Sequence, residues 1–255
     1  MSTEAVRVER EGSVATVTLA HPPVNAISQE VLDGLRAAFA ALAADEAVRV
    51  AVLTGEGQIF SAGADLGSAA AQGPLGLLRH GRAVYDEVWG FPKPLLAAVN
   101  GLCVGGGLEL ALLADLRFCA DSARFGQPEV NLGIIPGWGG TQRLPAAIGA
   151  QRAAELILTG RLMRAAEAAE AGLVLHSYPD DELRDHVRNL ARRLAEKPPL
   201  ALAAAKSALR AGLEAGPAEG RSCEGAAMER LAASEDAQEG VLAFLQKRRP
   251  HFVGR

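Results

Sequence analysis

The fold is indicated most clearly by the segment LLAAVNGLCVGGGLELALLADL, which spans residues 95–116. The segment has the length and apolar character of a membrane helix, but it contains the carboxylates of Glu109 and Asp115 and the glycine triplet Gly105–Gly107. A charged side chain at the centre of a bilayer costs about 2.5–3.5 kcal/mol. The segment therefore predicts a buried strand over Leu95–Val99 and a buried helix that begins near Gly106, with no membrane span.

The sequence on either side continues this alternation of strand and helix. Apolar residues alternate over 5–10 and 13–19, which predicts two strands joined by a turn. Short apolar runs predict buried strands at Val48–Leu53 and Leu116–Cys119. The order of these elements is typical of parallel β-α units, so the sequence predicts an α/β fold.

Helices are predicted before and after this region. Ser28 can cap a helix whose apolar residues, from Val31 to Leu42, form one stripe. From about residue 139 onward, prolines and glycines separate further helical stretches, namely Gln151–Leu158, Ala165–Ala171, Asp181–Leu194, Leu200–Leu213, Glu219–Ala232 and Asp236–Gln246. The apolar stripes of the last helices need a partner surface, and part of that surface is expected to be another subunit.

Composition and charge restrict the class of protein. The chain has 255 residues, of which 49% are hydrophobic and 22% are charged, as in an ordinary globular protein. Its net charge of −4 offers no basic surface for nucleic acid. Three separate cysteines and a polar N-terminus without an apolar targeting segment favour a cytoplasmic protein. The five histidines are scattered, so no metal site is expected.

The triplet Gly105–Gly107 follows a predicted strand and opens a predicted helix. Backbone N–H groups at such a position form a small positive concavity. A dinucleotide-binding turn requires a third glycine where this chain has Leu110, and the sequence contains no P-loop motif for phosphate. A carbonyl oxygen that develops negative charge is the remaining natural ligand. The alternative is a tight turn that allows close packing of helix and sheet.

Two glutamates lie beside these glycines and their neighbours. Glu109 is surrounded by apolar residues, where an unpaired carboxylate is costly, although it can also compensate the helix dipole. Glu129 follows Pro128 in a segment that is not predicted to be helical, and it can also be a surface residue. Since glutamate transfers protons, the pair predicts a site that polarises a carbonyl and moves a proton beside it.

Two further stretches allow a ligand to approach the backbone. Phe60–Leu66 has mostly small side chains after a predicted strand, although Asp65 alone is more simply a helix cap. Pro136–Thr141 is rich in glycine and leads into a helix. No G-x-S-x-G motif surrounds a serine, so a serine nucleophile is not predicted.

Together these stretches resemble the enoyl-CoA hydratase (crotonase) family. The resemblance runs almost from end to end and rests on motifs in the family's order and spacing, which are Pro22–Ala26, Phe60–Leu66, Ala97–Gly101, Gly105–Leu110, Phe125–Glu129, Ile135–Leu144 and Glu239–Arg248. It implies an α/β fold, a ClpP-like spiral of β-β-α units over residues 1–195, followed by a helical trimerisation region over 196–255. It also implies a homotrimer, or a hexamer built as a dimer of trimers.

The resemblance implies roles for individual backbone groups. The N–H groups of Ala62 and Gly106 match the family's oxyanion hole for a thioester carbonyl. A larger set matches positions that bind coenzyme A, which arrives as part of the substrate and not as a cofactor; it consists of Val24, Ala26, Ala62, Gly63, Ala64, Asp65, Leu66, Gly106, Gly137 and, from a neighbouring subunit, Phe244 and Lys247. The simpler interpretation of Lys247 is a place in a solvated basic tail.

Hydratases of this family keep two glutamates twenty residues apart, and this chain keeps both. The resemblance therefore implies that water adds to a trans-2-enoyl-CoA to give a 3-hydroxyacyl-CoA. We expect Glu129 to protonate Cα while Glu109 orients and activates the water. An isomerase, or a member that acts on a specialised acyl-CoA, is the first alternative. A non-catalytic acyl-CoA-binding protein is the second.

Two features depart from the family's usual pattern. Trp138 stands where many relatives have a small residue, so its ring is predicted either to limit the acyl pocket or to pack on a neighbouring helix. Residues 67–81 are small and predict a flexible loop that lines the acyl pocket.

Overall fold

Two β-sheets with helices around them form the protein. The computed structural model describes residues 5–67 and 74–255. Within those residues, the larger sheet has six strands in the order β1-β2-β3-β5-β7-β10, and the smaller has four in the order β4-β6-β8-β9. Residues 68–73, which belong to the predicted acyl-pocket loop, lie outside the described residues.

The larger sheet confirms the strands that the apolar patterns predict, and it adds β10. It consists of β1 (Val6–Glu11), β2 (Val14–Leu19), β3 (Val50–Gly55), β5 (Leu95–Val99), β7 (Leu116–Ala120) and β10 (His176–Tyr178). β1 and β2 are antiparallel, whereas β2, β3, β5, β7 and β10 are parallel neighbours. Every residue of β3 and β5 is buried, as expected for continuous apolar strands covered on both faces.

The smaller sheet is not predicted by the sequence patterns. Its strands are β4 (Ile59–Ser61), β6 (Leu102–Val104), β8 (Arg124–Gly126) and β9 (Leu162–Arg164). Each of β3, β5 and β7 in the larger sheet is followed by β4, β6 or β8 in the smaller one. This produces the repeated β-β-α order that the resemblance implies. Strands of three residues are too short to show an alternating pattern.

The helices agree with the predicted ones to within a few residues at their ends, except that α4 is predicted without bounds and α2 is not predicted. They are α1 (Gln29–Ala44), α2 (Pro74–Trp89), α3 (Gly106–Ala111), α4 (Gly140–Ile148), α5 (Ala150–Thr159), α6 (Ala165–Glu170), α7 (Leu183–Ala195), α8 (Pro199–Ala215), α9 (Pro217–Ala232) and α10 (Glu235–Gln246). The hydroxyl of Ser28 accepts a hydrogen bond from the N–H of Val31, which confirms the predicted cap of α1. Among the described residues, no helix has the length and apolar character needed to cross a membrane.

The prediction of a loop over residues 67–81 is wrong for its second half, because α2 begins at Pro74. Proline is well suited to the first turn of a helix, since no N–H is required there. Leu77, Val84 and Val88 are buried at helical spacing along α2. Glycines such as Gly81 lower the helix propensity of the segment and obscure this pattern.

Alternate residues of the central strands enter two separate cores. Ala51 and Leu53 of β3 pack with α1 and α3, whereas Val50 and Val52 pack with Leu183 and its neighbours in α7. The sheet therefore lies between two helical layers. Because β4, β6 and β8 are parallel neighbours in the smaller sheet, the segments that follow them meet beside the glycine triplet.

Candidate active site

One large cleft of about 1680 Å³ brings together the predicted motifs. Residues from four separate stretches line it, and they include Ala62, Gly63, Ala64, Leu66, Gly105, Gly106, Glu109, Pro128, Glu129, Pro136, Gly137, Trp138 and Gly139. The apolar side chains of α2 and of the C-terminal helix α8 complete its walls. The topology thus brings together predicted motifs that are up to 77 positions apart in the chain, counted from 62 to 139.

Glu109 is held by backbone donors at the bottom of this cleft. It lies on the short helix α3 and is 2% exposed. Its Oε1 accepts hydrogen bonds from the N–H groups of Trp138 and Gly140, both at 2.7 Å. Burial raises the pKa of Glu109, whereas these two N–H groups and the charge of Arg143 act in the opposite direction. The carboxylate is therefore oriented, with its second oxygen left for other partners.

Glu129 lies on a 3-10 helix, Pro128–Leu132, in a segment where no helix is predicted. It is 9% exposed, and burial raises its pKa to about 7, with a further contribution from the charge of Glu109. The buried amide of Gln127, oriented with its nitrogen toward Glu129, donates to Oε1 at 2.8 Å and to Oε2 at 3.1 Å. This carboxyl group therefore exchanges its proton near neutral pH.

The glycine triplet allows the backbone to approach Glu129 and the ring of Trp138. Gly105 has a φ of 54°, and a Cβ there would lie 3.2 Å from Glu129 Oε1. A Cβ on Gly106 would lie 2.4 Å from the ring of Trp138. The hydroxyl of buried Tyr85 donates to the carbonyl of Gly106 at 2.7 Å and holds this turn in place.

The N–H of Ala62 is already used inside the protein. It donates to the carbonyl of Val24 at 3.0 Å. It is therefore not free to bind a thioester oxygen, and the assignment of Ala62 as an oxyanion donor requires correction. A pattern read from sequence cannot distinguish the first alanine of Ala62-Gly63-Ala64 from the second, since the distinction depends on which side of the strand each N–H faces.

Ala64 has the orientation that Ala62 lacks. Ile27 and Ala64 form a parallel bridge in which Ile27 N–H donates to Gly63 and Asp65 N–H donates to Ile27. Because consecutive N–H groups of an extended chain point to opposite sides, the N–H of Ala64 points away from Ile27. A Cβ on Gly106 would lie 3.4 Å from Ala64 N, so the two backbone segments face each other. Gly106 is the first residue of α3, and its N–H has no acceptor within the helix.

The predicted packing of Trp138 on a neighbouring helix is confirmed, whereas a limit on the acyl pocket stays a prediction. Its ring lies 4.9 Å from that of Tyr85, and its Nε1 donates to the carbonyl of Leu78 at 3.1 Å, so it packs on α2. A Cβ on Gly81 would lie 2.3 Å from the ring, which is why α2 has a glycine at this position. The same residue also lines the cleft.

The other predicted coenzyme A positions are divided between the cleft and the surface. Gly137 and Leu66 line the cleft. Val24 and Ala26 support it from outside, through the bonds from Ala62 N–H and from the His21 ring. The carboxylate of Asp65 accepts the N–H of Gly67 at 2.9 Å, in agreement with its local capping role. In this single chain, Phe244 is 83% exposed and Lys247 ends α10 in the left-handed region, both away from the cleft.

Several residues in contact with the site are not selected from the sequence alone. Gln127 and Arg143 occur in the quoted motifs, but no role is predicted for either. Tyr85 and Trp89 lie on α2, beyond the loop predicted over residues 67–81, and no role is predicted for either. The positions of Gln127 and Arg143 inside glycine-containing motifs are the sequence signals that could have identified these two residues.

Comparison with known proteins identifies the family. A profile described as enoyl-CoA hydratase/isomerase matches residues 9–255. The chain belongs to the enoyl-CoA hydratase/isomerase family. The prediction of an enzyme of this family with the crotonase fold is therefore confirmed.

Individual relatives of this enoyl-CoA hydratase/isomerase family member cover the whole chain. The 2,3-dehydroadipyl-CoA hydratase of Escherichia coli is 42% identical over 97% of this chain and 98% of its own. The carnitinyl-CoA dehydratase of Salmonella arizonae is 40% identical over 98% and 99%. The solved structure of an enoyl-CoA hydratase from Bacillus anthracis has a TM-score of 0.95 at 36% identity, covering 98% of this chain and all of that one.

Proposed function

We propose that this protein is an enoyl-CoA hydratase, which adds water to a trans-2-enoyl-CoA and forms a 3-hydroxyacyl-CoA. The observation that carries the proposal is the pair of buried carboxyl groups in one cleft, each in a different environment. Burial raises the pKa of both groups, to about 7 for Glu129, but Glu109 also accepts two backbone hydrogen bonds that oppose this rise. Two carboxyl groups in such different environments suit one base and one acid.

The thioester oxygen is proposed to bind between the N–H groups of Ala64 and Gly106. Both N–H groups belong to backbone that lines the cleft, and within residues 5–67 and 74–255 neither donates to a protein acceptor. In the reaction, the electron pair of the double bond moves toward this oxygen and produces an enolate. A pre-oriented donor of this kind is worth about 3 kcal/mol in the transition state.

The proton transfers are proposed to follow from the two environments. Ionised Glu109 takes a proton from water while the water oxygen bonds to Cβ. Protonated Glu129 delivers a proton to Cα, and the enolate collapses to the saturated thioester. The two carboxyl groups then exchange the remaining proton with solvent, which restores the starting state. Because the groups interact, their titration belongs to the pair.

Crotonyl-CoA tests this proposal directly. Hydration removes the conjugated double bond, so the loss of its ultraviolet absorbance measures the reaction. We expect turnover by the wild-type protein, and a loss of about 10²–10⁴-fold in kcat for Glu129→Gln. A folded Glu129→Gln protein with near-normal hydration would refute the assignment. Binding of the thioester without turnover by the wild-type protein would favour the non-catalytic alternative, and migration of the double bond would favour the isomerase.

Two arginines favour a specialised acyl group as a second candidate substrate. Arg79 and Arg82 of α2 line the cleft, and neither forms an ion pair among the described residues. A carboxylate at the far end of the acyl chain would have a partner there, and one relative is named for such a substrate. Comparing kcat/KM for 2-hexenoyl-CoA and 2,3-dehydroadipyl-CoA tests this candidate. If kcat/KM is equal for the two thioesters, both in the wild type and in Arg82→Met, an acyl group with a terminal carboxylate is excluded as the preferred substrate.

A homotrimer or hexamer, with residues 196–255 as the trimerisation region, is also proposed. Support comes from large apolar side chains that are exposed on the C-terminal helices of the single chain, among them Leu209, Leu213, Met228, Val241, Phe244 and Leu245. The proposed contacts of Phe244 and Lys247 with coenzyme A would then come from a neighbouring subunit. Light scattering of the purified protein measures the assembly, and a monomer at micromolar concentration would overturn it.

A further inference from the structure

Two arginines from different parts of the chain converge on the indole of Trp89. The guanidinium carbon of Arg143, on α4, lies 4.8 Å from the ring centroid, and that of Arg210, on α8, lies 4.0 Å from it. Trp89 is the last residue of α2. A guanidinium over an indole face is the most favourable common cation–π pair. The indole therefore connects the helix after the glutamate-binding turn to the first C-terminal helix.

Arg143 also supports the turn that binds Glu109. Its Nη1 donates to the carbonyl of Trp138 at 2.9 Å. The N–H of the same Trp138 donates to Glu109. Gly139, which follows Trp138 in this turn, has a φ of 108°, and a Cβ there would lie 2.0 Å from Nη1 of Arg143. The arginine therefore occupies the space that the glycine leaves, and the turn cannot shift without displacing it.

Arg210 attaches helix α8 to the segment that follows α3. Its Nη2 donates to Asp115 Oδ1 at 2.9 Å and to the carbonyl of Leu113 at 3.1 Å. Lys206, one turn earlier, donates to Asp115 Oδ2 at 2.8 Å. The indole N–H of Trp89 donates to Glu214 of the same helix. Helix α8 is thus seated on the core through charged groups that also contact Trp89.

We propose that Arg143 is a positioning residue for Glu109, and that the contact of Trp89 with Arg210 couples this role to the seating of helix α8. Arginine is required because its planar group both stacks on the indole and donates to the Trp138 carbonyl, whereas the compact ammonium of lysine does not do both. For turnover, the inference rests on the proposed function. The effect of Arg143 on the environment of Glu109 is independent of the proposed function.

Kinetics provide the first test. Arg143→Met is expected to lower kcat about 100-fold through misplacement of Glu109, with KM changed less than about 3-fold. Arg143→Lys is expected to recover little of this loss. Arg210→Met is expected to lower kcat as well, but by a smaller factor than Arg143→Met does. The matched control is Arg36→Met, which removes a surface ion pair with Glu87. A kcat within 2-fold of wild type for folded Arg143→Met would overturn the positioning role.

An activity-free titration provides the second test. The chain has two tryptophans, Trp89 and Trp138, so 5-fluorotryptophan gives two 19F signals. In a Glu129→Gln background, the Trp138 signal follows the ionisation of Glu109. Loss of the Arg143 charge is expected to move the midpoint to higher pH, because that charge favours the ionised carboxylate.

Besides Glu129, the charged or titratable groups that face Arg143 or Glu109 are Asp86, Tyr85 and Arg210, and all three are unchanged in the variants used for the titration. An unchanged midpoint in Arg143→Met, or in Arg143→Gln if the first variant does not fold, would overturn the inference. Absence of hydratase activity in the wild type would instead refute the proposed function, while the titration would still decide the role of Arg143. An equal loss of kcat in Arg210→Met and Arg36→Met would remove the coupling to α8.

Discussion

The carboxylate of Glu109 lies 2.7 Å from the backbone nitrogen of Trp138, a residue 29 positions later in the chain. A second N–H, from Gly140, binds the same oxygen. These bonds replace part of the hydration that the carboxylate loses on burial. They also leave Glu109 with one defined orientation, which a catalytic base requires.

The proton affinity of Glu129 predicts the alkaline limb of the pH profile. Its pKa is raised to about 7 by burial and by the charge of Glu109. If protonated Glu129 is the acid, kcat/KM decreases as the pH rises above about 7, by up to tenfold per unit. Steady-state rates with crotonyl-CoA between pH 5 and 9 measure this. A profile that stays flat up to pH 9 in the wild type would contradict the acid role.

Glu129→Gln is expected to stabilise the protein while it removes activity. The folded-state pKa of Glu129 lies above its ordinary value of 4.5, so the folded protein retains a proton that the unfolded chain has lost. Stability from this group is fully present below about pH 4.5 and is lost as the pH rises through 7. At pH 8 the variant should therefore have the higher Tm, and near pH 4.5 the difference should vanish. A lower Tm for the variant at pH 8 would indicate a structural role for the carboxylate.

Trp138→Ala is expected to change the preference for acyl-chain length. The ring lines the cleft and packs against the backbone of Gly106, so its removal opens space beside the proposed oxyanion donors. We expect kcat/KM to rise for longer enoyl-CoA chains relative to crotonyl-CoA. Removal of so large a buried ring should also destabilise the protein by about 3–5 kcal/mol. Trp138→Phe is the milder variant, and an unchanged chain-length profile in both would leave only the packing role.

Asp115→Ala is expected to weaken the seating of α8. The Asp115 carboxylate accepts bonds from Lys206, Arg210 and the N–H of Leu95. Its removal leaves two largely buried cations without their shared partner, which typically costs about 3–5 kcal/mol. Urea unfolding measures the loss. Glu87→Ala, at an exposed ion pair with Arg36, should cost no more than about 1 kcal/mol, and equal losses in the two variants would contradict the prediction.

Local sequence patterns predict the central strands, most of the helices and the importance of the two glutamates. These features depend on local patterns: continuous apolar runs at Leu95–Val99, the helical stripe after Ser28, and carboxylates in apolar surroundings at Glu109 and Glu129. Each pattern is complete within a few residues, so no knowledge of distant contacts is needed to interpret it.

Tertiary contacts, and no local pattern, account for the second sheet, for the use of Ala62 N–H by Val24 and for the contacts of Arg143. The short strands β4, β6 and β8 exist because they pair with one another across long sequence separations. Ala62 is excluded because its N–H faces Val24, which is a matter of strand direction and not of residue type. Arg143 of α4 reaches the ring of Trp89 at the end of α2, a residue 54 positions earlier in the chain. Contacts between distant segments produce no local pattern in the sequence. These features therefore depend on how the segments pack in the folded protein.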